Sequence, residues 1–191
     1  MNTYHRLSTV PVAGIEHIER PEQDKTLDLE SPALEVFTDF SERTPLMLEQ
    51  STPIDEAIET MRRTHVKLKL VIDARESFRG VISMADLLSV KVARASEETG
   101  LRREDLTVFH VMTKREDLHA ISLQAVRSAR IGDILATMES FGDQHVLVVD
   151  RDRKCVRGII SATDIARGLH VPVTINARAN SFADVVRAVR A

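Results

Sequence analysis

Residues 54–87 read IDEAIETMRRTHVKLKLVIDARESFRGVISMADL, and residues 131–165 read IGDILATMESFGDQHVLVVDRDRKCVRGIISATDI. The two stretches align at an offset of 77, which becomes 78 after one inserted residue. Ile54, Thr60, Met61, Leu70, Val71 and Asp73 meet Ile131, Thr137, Met138, Leu147, Val148 and Asp150. Beyond the gap, Arg79, Gly80, Ile82, Ser83 and Asp86 meet Arg157, Gly158, Ile160, Ser161 and Asp164. Eleven identities in the same order, with the gap inside a polar turn, mean that one unit is present twice. A repeat of this kind decides the architecture before any single element does.

Each copy implies the same elements. Thr52-Pro53-Ile54-Asp55 has the form of a cap residue, a proline at the first helical position and an acid three residues past the cap. Ile54, Ala57, Ile58 and Met61 then recur at helical spacing, as do Ile131, Ile134, Leu135 and Met138, with Ser128 the nearest candidate cap for the second copy. The runs Val66–Ile72 and Val146–Val149 predict strands, each stopped by an aspartate (Asp73, Asp150). Polar turns lead into second strands at Phe78–Ile82 and Val156–Ile160, so each pair forms a hairpin. Helices are expected over Met84–Ala95 and Ala162–Leu169. The unit is helix–strand–strand–helix, an α/β (α+β) fold in which each copy is a small sheet with packed helices.

The flanking segments carry weaker patterns. Residues 1–32 mix Pro11, Pro21 and Pro32 with acids and predict an extended arm, while Ala33–Phe40 alternates as a strand leading into the first unit. Ala95–Asp105 is a polar connector interrupted by Gly100, and Ser181–Val189 places Phe182, Val185, Val186 and Val189 on one helical face.

Bulk properties exclude several classes. The net charge is −3, and residues 1–43 hold nine acids against four Lys/Arg, which leaves the remainder near +2. Such a body lacks the field for nucleic-acid backbones, and aromatic content of 4% without tryptophan offers no stacking platform for single strands. Cys155 is the single cysteine, so no internal disulfide exists and a reducing compartment fits. No signal pattern opens the chain and no apolar run approaches the ~20 residues of a membrane span, which makes a cytoplasmic location the expectation.

The repeated Gly-hydrophobic-hydrophobic-Ser-x-x-Asp, at Gly80-Val-Ile-Ser83-Met-Ala-Asp86 and Gly158-Ile-Ile-Ser161-Ala-Thr163-Asp164, resembles the signature of CBS (cystathionine β-synthase-type) domains. Val111-Met112-Thr113 resembles the opening of the second unit of such a pair. The resemblance covers about Pro45–Leu169. It implies two tandem CBS units with pseudo-two-fold symmetry, a Bateman module, with an N-terminal arm and leading strand over 1–43, a first unit over 44–100, a second over 101–170 and a C-terminal strand or helix packing on the module over 171–191. It further implies a cleft for AMP, ADP, ATP or S-adenosylmethionine as a regulatory ligand, no required cofactor, assembly as a homodimer and an unidentified protein partner that responds to the ligand. In the family the motif Ser/Thr and Asp contact phosphate and ribose, which maps onto Ser83, Asp86, Ser161 and Asp164, with Thr163 adding a hydroxyl in the second copy. The family's frequent proline three residues before the strand-ending aspartate is Leu70 in one copy and Leu147 in the other.

The motif has its own physical logic. A glycine on a strand beside a cleft permits close approach of a ligand or another backbone, which is the expectation for Gly80 and Gly158. A serine at a strand-to-helix junction stands where helix N–H groups favour phosphate oxygens. A carboxylate accepts only, so it suits two ribose hydroxyls. The same Ser-x-x-Asp is also a variant capping box worth ~1 kcal/mol without any ligand.

Arg79 and Arg157 can reach phosphates or act as cross-strand partners. Lys67 and Lys69 are expected on an exposed strand face, and Met47, Met61, Met84, Met112 and Met138 in the core. His65 and His145 do not coincide in the repeat. They belong to no cluster with metal-ligand spacing, so no metal site is expected. Cys155 has no base nearby in sequence, and P-loop, GxSxG and HExxH motifs do not occur, so no catalytic residue is assigned. Two functions remain in play: a regulatory adenine-nucleotide sensor without catalysis, and a ligand-free dimerisation or interaction scaffold of the same fold.

Overall fold

A computed structural model describes residues 27–170, together with 5, 7–16 and 18. The element order is β1 (Thr38–Asp39), β2 (Met47–Glu49), α1 (Ile54–Arg63), β3 (Leu68–Ile72), β4 (Phe78–Ser83), α2 (Met84–Leu87) and α3 (Lys91–Thr99). There follow α4 (Val108–Val111), β5 (Thr113–Lys114), β6 (Ala120–Ser122), α5 (Leu123–Ser128), α6 (Ile131–Phe141), β7 (His145–Asp150), β8 (Cys155–Ser161) and α7 (Ala162–Gly168). Two four-stranded mixed sheets result, ordered β2-β3-β4-β5 and β6-β7-β8-β1.

The repeat is geometric as well as textual. Leu70 pairs Val81 and Val71 pairs Gly80 in the first hairpin; Leu147 pairs Ile159 and Val148 pairs Gly158 in the second. A bulge follows at Val71/Ile72 and at Val148/Val149, one residue past each glycine's partner. The hairpin turns are built by the strand-ending aspartates. Asp73 Oδ1 accepts from the N–H groups of Arg75 and Ser77, and Asp150 Oδ1 from those of Asp152 and Arg153. Such side-chain-to-backbone bonds are the reason aspartate nucleates turns.

The edge strands cross between units. β1 precedes the first unit yet pairs antiparallel with β8, whereas β5 opens the second unit yet pairs with β4. Ala33–Phe40 is therefore not a strand leading into the first unit: Ala33–Val36 is a 3-10 turn, and only Thr38–Asp39 is strand, on the second sheet. Around each crossing the contacts match. Pro32 bridges Arg130 and Pro53 bridges Thr107; Ala33 N–H donates to the carbonyl of Ala129, as Val108 N–H does to that of Thr52.

Three apolar clusters hold the fold. Ile54, Ala57, Ile58 and Met61 of α1 pack with Val71, Ile82, Leu106 and Val108, whereas Ile131, Ile134, Leu135 and Met138 of α6 pack with Val148, Ile160, Ala33 and Val36. Leu70, Val81 and Leu147, with Phe78, Val156 and Ile159, form a smaller cluster shared by both sheets. Each fully buried Ile or Leu contributes about 1.5–3 kcal/mol.

Several local expectations differ. Pro53 itself is the α1 cap, without a side-chain cap bond, and the Thr52 carbonyl accepts from Val108 N–H. Arg130, not Ser128, precedes α6: Ser128 ends α5, and Asp133 Oδ2 accepts from Arg130 N–H at 2.8 Å. The helix expected over Met84–Ala95 is broken at Leu88–Val90, and its second part runs to Gly100, whose φ of 71° ends it in the left-handed region. Lys69 is not on an exposed face but 5% exposed, on the helix-covered side of β3 across from Ile82, where burial lowers its pKa. The expectations for Ser181–Val189 and for 171–191 lie outside the described residues.

The glycines test the crossing directly. A Cβ at Gly80 would lie 2.1 Å from the Thr113 carbonyl oxygen, and one at Gly158 would lie 2.2 Å from that of Thr38. Backbone cannot yield as a side chain does, so Gly80→Ala and Gly158→Ala should each destabilise by about 1–3 kcal/mol, the cost of overpacking. Thermal denaturation checks this; two alanine variants as stable as wild type would mean the edge strands are not held where the glycines allow.

Candidate functional site

Each motif sits where a central antiparallel strand gives way to a short helix. In the first unit Ser83 ends β4, its Oγ accepts from Asp86 N–H at 3.0 Å, and Asp86 Oδ2 accepts from Ser83 N–H at 3.1 Å. These two bonds make a capping box, and Ser83 Oγ also donates to Asp86 Oδ2 at 2.5 Å. In the second unit Ser161 Oγ accepts from Asp164 N–H at 3.0 Å and donates to Asp164 Oδ2 at 2.6 Å.

The other carboxylate oxygen is held by a cation in both copies. Lys91 Nζ reaches Asp86 Oδ1 at 2.5 Å, and Arg167 reaches Asp164 Oδ1 at 2.9 Å. Lys91 is half exposed and Arg167 75% exposed, while the two carboxylates are part-buried. A hydroxyl-bearing ligand can therefore take Oδ1 by displacing a surface cation while the cap on Oδ2 stays closed. Exposed pairs are worth about 0–1 kcal/mol, so the exchange costs least at Asp164, whose Arg167 is the more exposed cation.

Gly80 and Ser83 stand on β4 of the first sheet with Asp86 on α2, and Gly158 and Ser161 stand on β8 of the second with Asp164 on α7, so the two sets belong to separate sheets. Thr163 stands half-exposed on the first turn of α7. The close approach at both glycines is made by the crossing edge strand, and at Gly158 also by the Phe37 ring. Their role in the structure is thus to admit backbone.

The crossing brings in residues that the motif did not single out. Val36-Phe37-Thr38 stands against the second sheet as Val111-Met112-Thr113 stands against the first, so Thr38 borders one motif and Thr113 the other. The shared Val-x-Thr pattern was the available signal. A groove of about 460 Å³ lies between α3 and the segment from α4 into β5, lined by Lys91, Arg94, His110, Met112 and Thr113 among others.

The two copies differ in how the edge strand is fastened. Arg157 Nε and Nη2 donate to Asp39 Oδ1 and Oδ2 at 2.7 and 2.8 Å, and Nη2 also reaches Ser41 Oγ at 2.7 Å. The Arg157 guanidinium holds the Asp39 carboxyl well below the usual carboxylate range. In the first unit Arg79 has Lys114 at the corresponding edge position, and no such clamp can form. Of the two roles open to Arg157, the structure shows the cross-strand one.

The family model for the CBS domain matches residues 35–93 and 108–171, more than half of the chain. The chain belongs to the CBS domain family. Among solved structures, an uncharacterized conserved protein from Pyrococcus horikoshii is similar with a TM-score of 0.55 at 19% identity, covering 78% of this chain and all of that one. CBSX2 in complex with AMP is similar at 0.53 and 21% identity, covering 72% and 94%. The CBS domain pair of protein MJ0100 in complex with 5′-methylthioadenosine and S-adenosyl-L-methionine is similar at 0.51 and 18%, covering 72% and 94%. At these identities the likeness shows the fold alone. No curated protein matches the sequence. The CBS pair accounts for the two mixed sheets and their helices. Among the described residues, no helix is long and apolar enough to cross a membrane, and no group of His, Cys, Asp and Glu could hold a metal ion.

The Asp39 clamp gives this CBS pair an acid sensitivity of defined sign. Because the folded pKa is depressed below the ordinary 3.8, the stabilisation is full above that value and is lost as pH falls below it. Asp39→Asn should lower the melting temperature at pH 7 and narrow its gap from wild type on acidification below about pH 3.8. Parallel melting curves across that range check it; a constant gap would show that the carboxylate charge is not what Arg157 holds.

Proposed function

We propose that this CBS pair is a non-catalytic regulatory module that binds an adenosyl ligand, an adenine nucleotide or S-adenosylmethionine, at its Ser-x-x-Asp junctions. The observation that carries the reading is the state of Asp86 and Asp164. Each keeps one oxygen in the cap and offers the other through an exposed, exchangeable cation. Ribose hydroxyls are the complementary donors. Similar folds bound to AMP and to S-adenosyl-L-methionine support the ligand class. Ser83, Asp86, Ser161, Thr163 and Asp164 are the proposed contacts; Gly80 and Gly158 serve the site by seating the strands beside it.

We also propose a homodimer, for which Leu88 and Val90, 59% and 75% exposed on the bend between α2 and α3, offer apolar surface. A monomer by light scattering at micromolar concentration counts against that part. The cytoplasm, and a protein partner that reads the ligand-bound state, complete the reading.

A second reading has its own support: both caps close and both glycines are explained without a ligand. That favours a ligand-free scaffold of the same fold. Calorimetry on protein first shown to be free of nucleotide separates the two. Asp164→Ala should weaken adenine-nucleotide binding at its cleft at least tenfold, since hydrogen bonds to a charged group contribute about 1.5–3 kcal/mol each. The variant should still fold, because loss of the cap costs about 1 kcal/mol. Binding unchanged in both Asp86→Ala and Asp164→Ala, or absent in the wild type, supports the scaffold.

A further inference from the structure

His145 opens β7 directly across from Ser161 of β8, whereas the matching position of the first sheet is Leu68, across from Ser83. An imidazole thus stands beside the second junction where the first has a leucine. Two charges act on it from opposite units. Asp164 of α7 favours its protonation, and Lys67, in the segment entering β3 of the first unit, opposes it. That segment is fixed, because the Lys67 carbonyl accepts from Met84 N–H at 2.9 Å. Burial outweighs the attraction of Asp164 and pushes the ring's pKa down to about 4, so the ligand-free ring is neutral at pH 7.

Resting on the adenosyl-ligand reading above, we infer that His145 is a specificity-determining residue of the second cleft: it becomes an imidazolium when the phosphate of an adenosine phosphate settles between it, Ser161 and Lys67, so that binding takes up a proton. A phosphate brings a charge of about −1.5 to −2 to a place where the uncharged Ser161, one carboxylate and one ammonium already stand. That charge stabilises the cationic ring and is itself offset by Lys67 of the other unit. A ligand with a sulfonium in place of the phosphate has the opposite effect and keeps the ring neutral. The second cleft therefore discriminates between the two ligand types with a preference that sharpens as pH falls, and the first cleft, with Leu68, does not.

Titration calorimetry of the full chain, freed of nucleotide, tests this at about pH 6.5 in buffers of different ionisation enthalpy, with AMP and with adenosine as ligands. AMP should take up more proton on binding wild type than on binding His145→Gln, and adenosine should show no such difference. The comparison of the two proteins removes the phosphate's own titration near pH 6. The ratio of wild-type to His145→Gln affinity for AMP should fall with rising pH by up to about tenfold per pH unit, the limit for one linked proton. Equal uptake by the two proteins, or the same difference with adenosine, overturns the inference while leaving the adenosyl reading in place. Failure of AMP and adenosine alike to bind overturns both. If His145→Gln does not fold, the ring is followed by NMR in the wild type: AMP should move its midpoint from about 4 toward neutrality, and an unmoved midpoint overturns the inference.

Discussion

The approach of a backbone carbonyl to a glycine, made twice, is the constraint on which this structure turns. Thr113 O lies over Gly80 and Thr38 O over Gly158, at positions where no other residue leaves room. Because β5 and β1 each belong by sequence to one unit and by pairing to the other, neither four-stranded sheet is complete without the other half of the chain. A lone unit would expose an unpaired edge on β4 or β8, the liability that pairing removes. Two small sheets are joined through an exchange that glycine alone permits.

The exchange also makes the clefts composite. Each Ser-x-x-Asp is bordered by a strand from the other unit's opening segment. The halves are alike in backbone and different in charge. Asp39 clamps Arg157 at the second junction, while Lys114 stands near Arg79 at the first. His145 and Leu68 differ in the same way beside Ser161 and Ser83. Duplication supplied two equivalent frames, and the side chains at the edges have made them unequal.

Most of the framework was legible in the sequence because periodicity and repetition report burial. The faces Ile54/Ala57/Ile58/Met61 and Ile131/Ile134/Leu135/Met138 are the buried faces, and the hairpins fall where the aspartates end the strands. What the sequence hid was non-local. Pairing partners are not encoded in strand propensity, so Thr38–Asp39 looked like a lead-in to the sheet that follows it in the chain. Lys69 fits the alternation of an exposed strand face, yet tertiary packing covers its stem while burial lowers its pKa. The break at Leu88–Val90 carries no proline or glycine; Ser89 Oγ, which accepts from Lys91 N–H and donates to the Asp86 carbonyl, restarts the helix there. For the proposed site, Ser83, Asp86, Ser161 and Asp164 stand out in the sequence as a repeated motif, whereas Thr38 and Asp39 come to the second junction only through the crossing.

The double use of the aspartates sets the energetics of any ligand. With Oδ2 committed to the cap and Oδ1 to Lys91 or Arg167, a ribose does not fill an empty acceptor but replaces an existing partner. The net gain at that contact would be a charge-assisted hydrogen bond of about 1.5–3 kcal/mol less an ion pair of about 0–1 kcal/mol. On the proposed reading both adenosyl ligand types would offer the same ribose to the aspartate, so the choice between them would fall to what the remainder of the molecule meets. In the second cleft that is a neutral imidazole between Asp164 and Lys67. In the first it is a leucine, with the displaced Lys91 close by. On the proposed reading a cation released from Asp86 or Asp164 would stay near the ligand in either cleft, so the difference between the clefts rests on His145, which faces Ser161 where Leu68 faces Ser83.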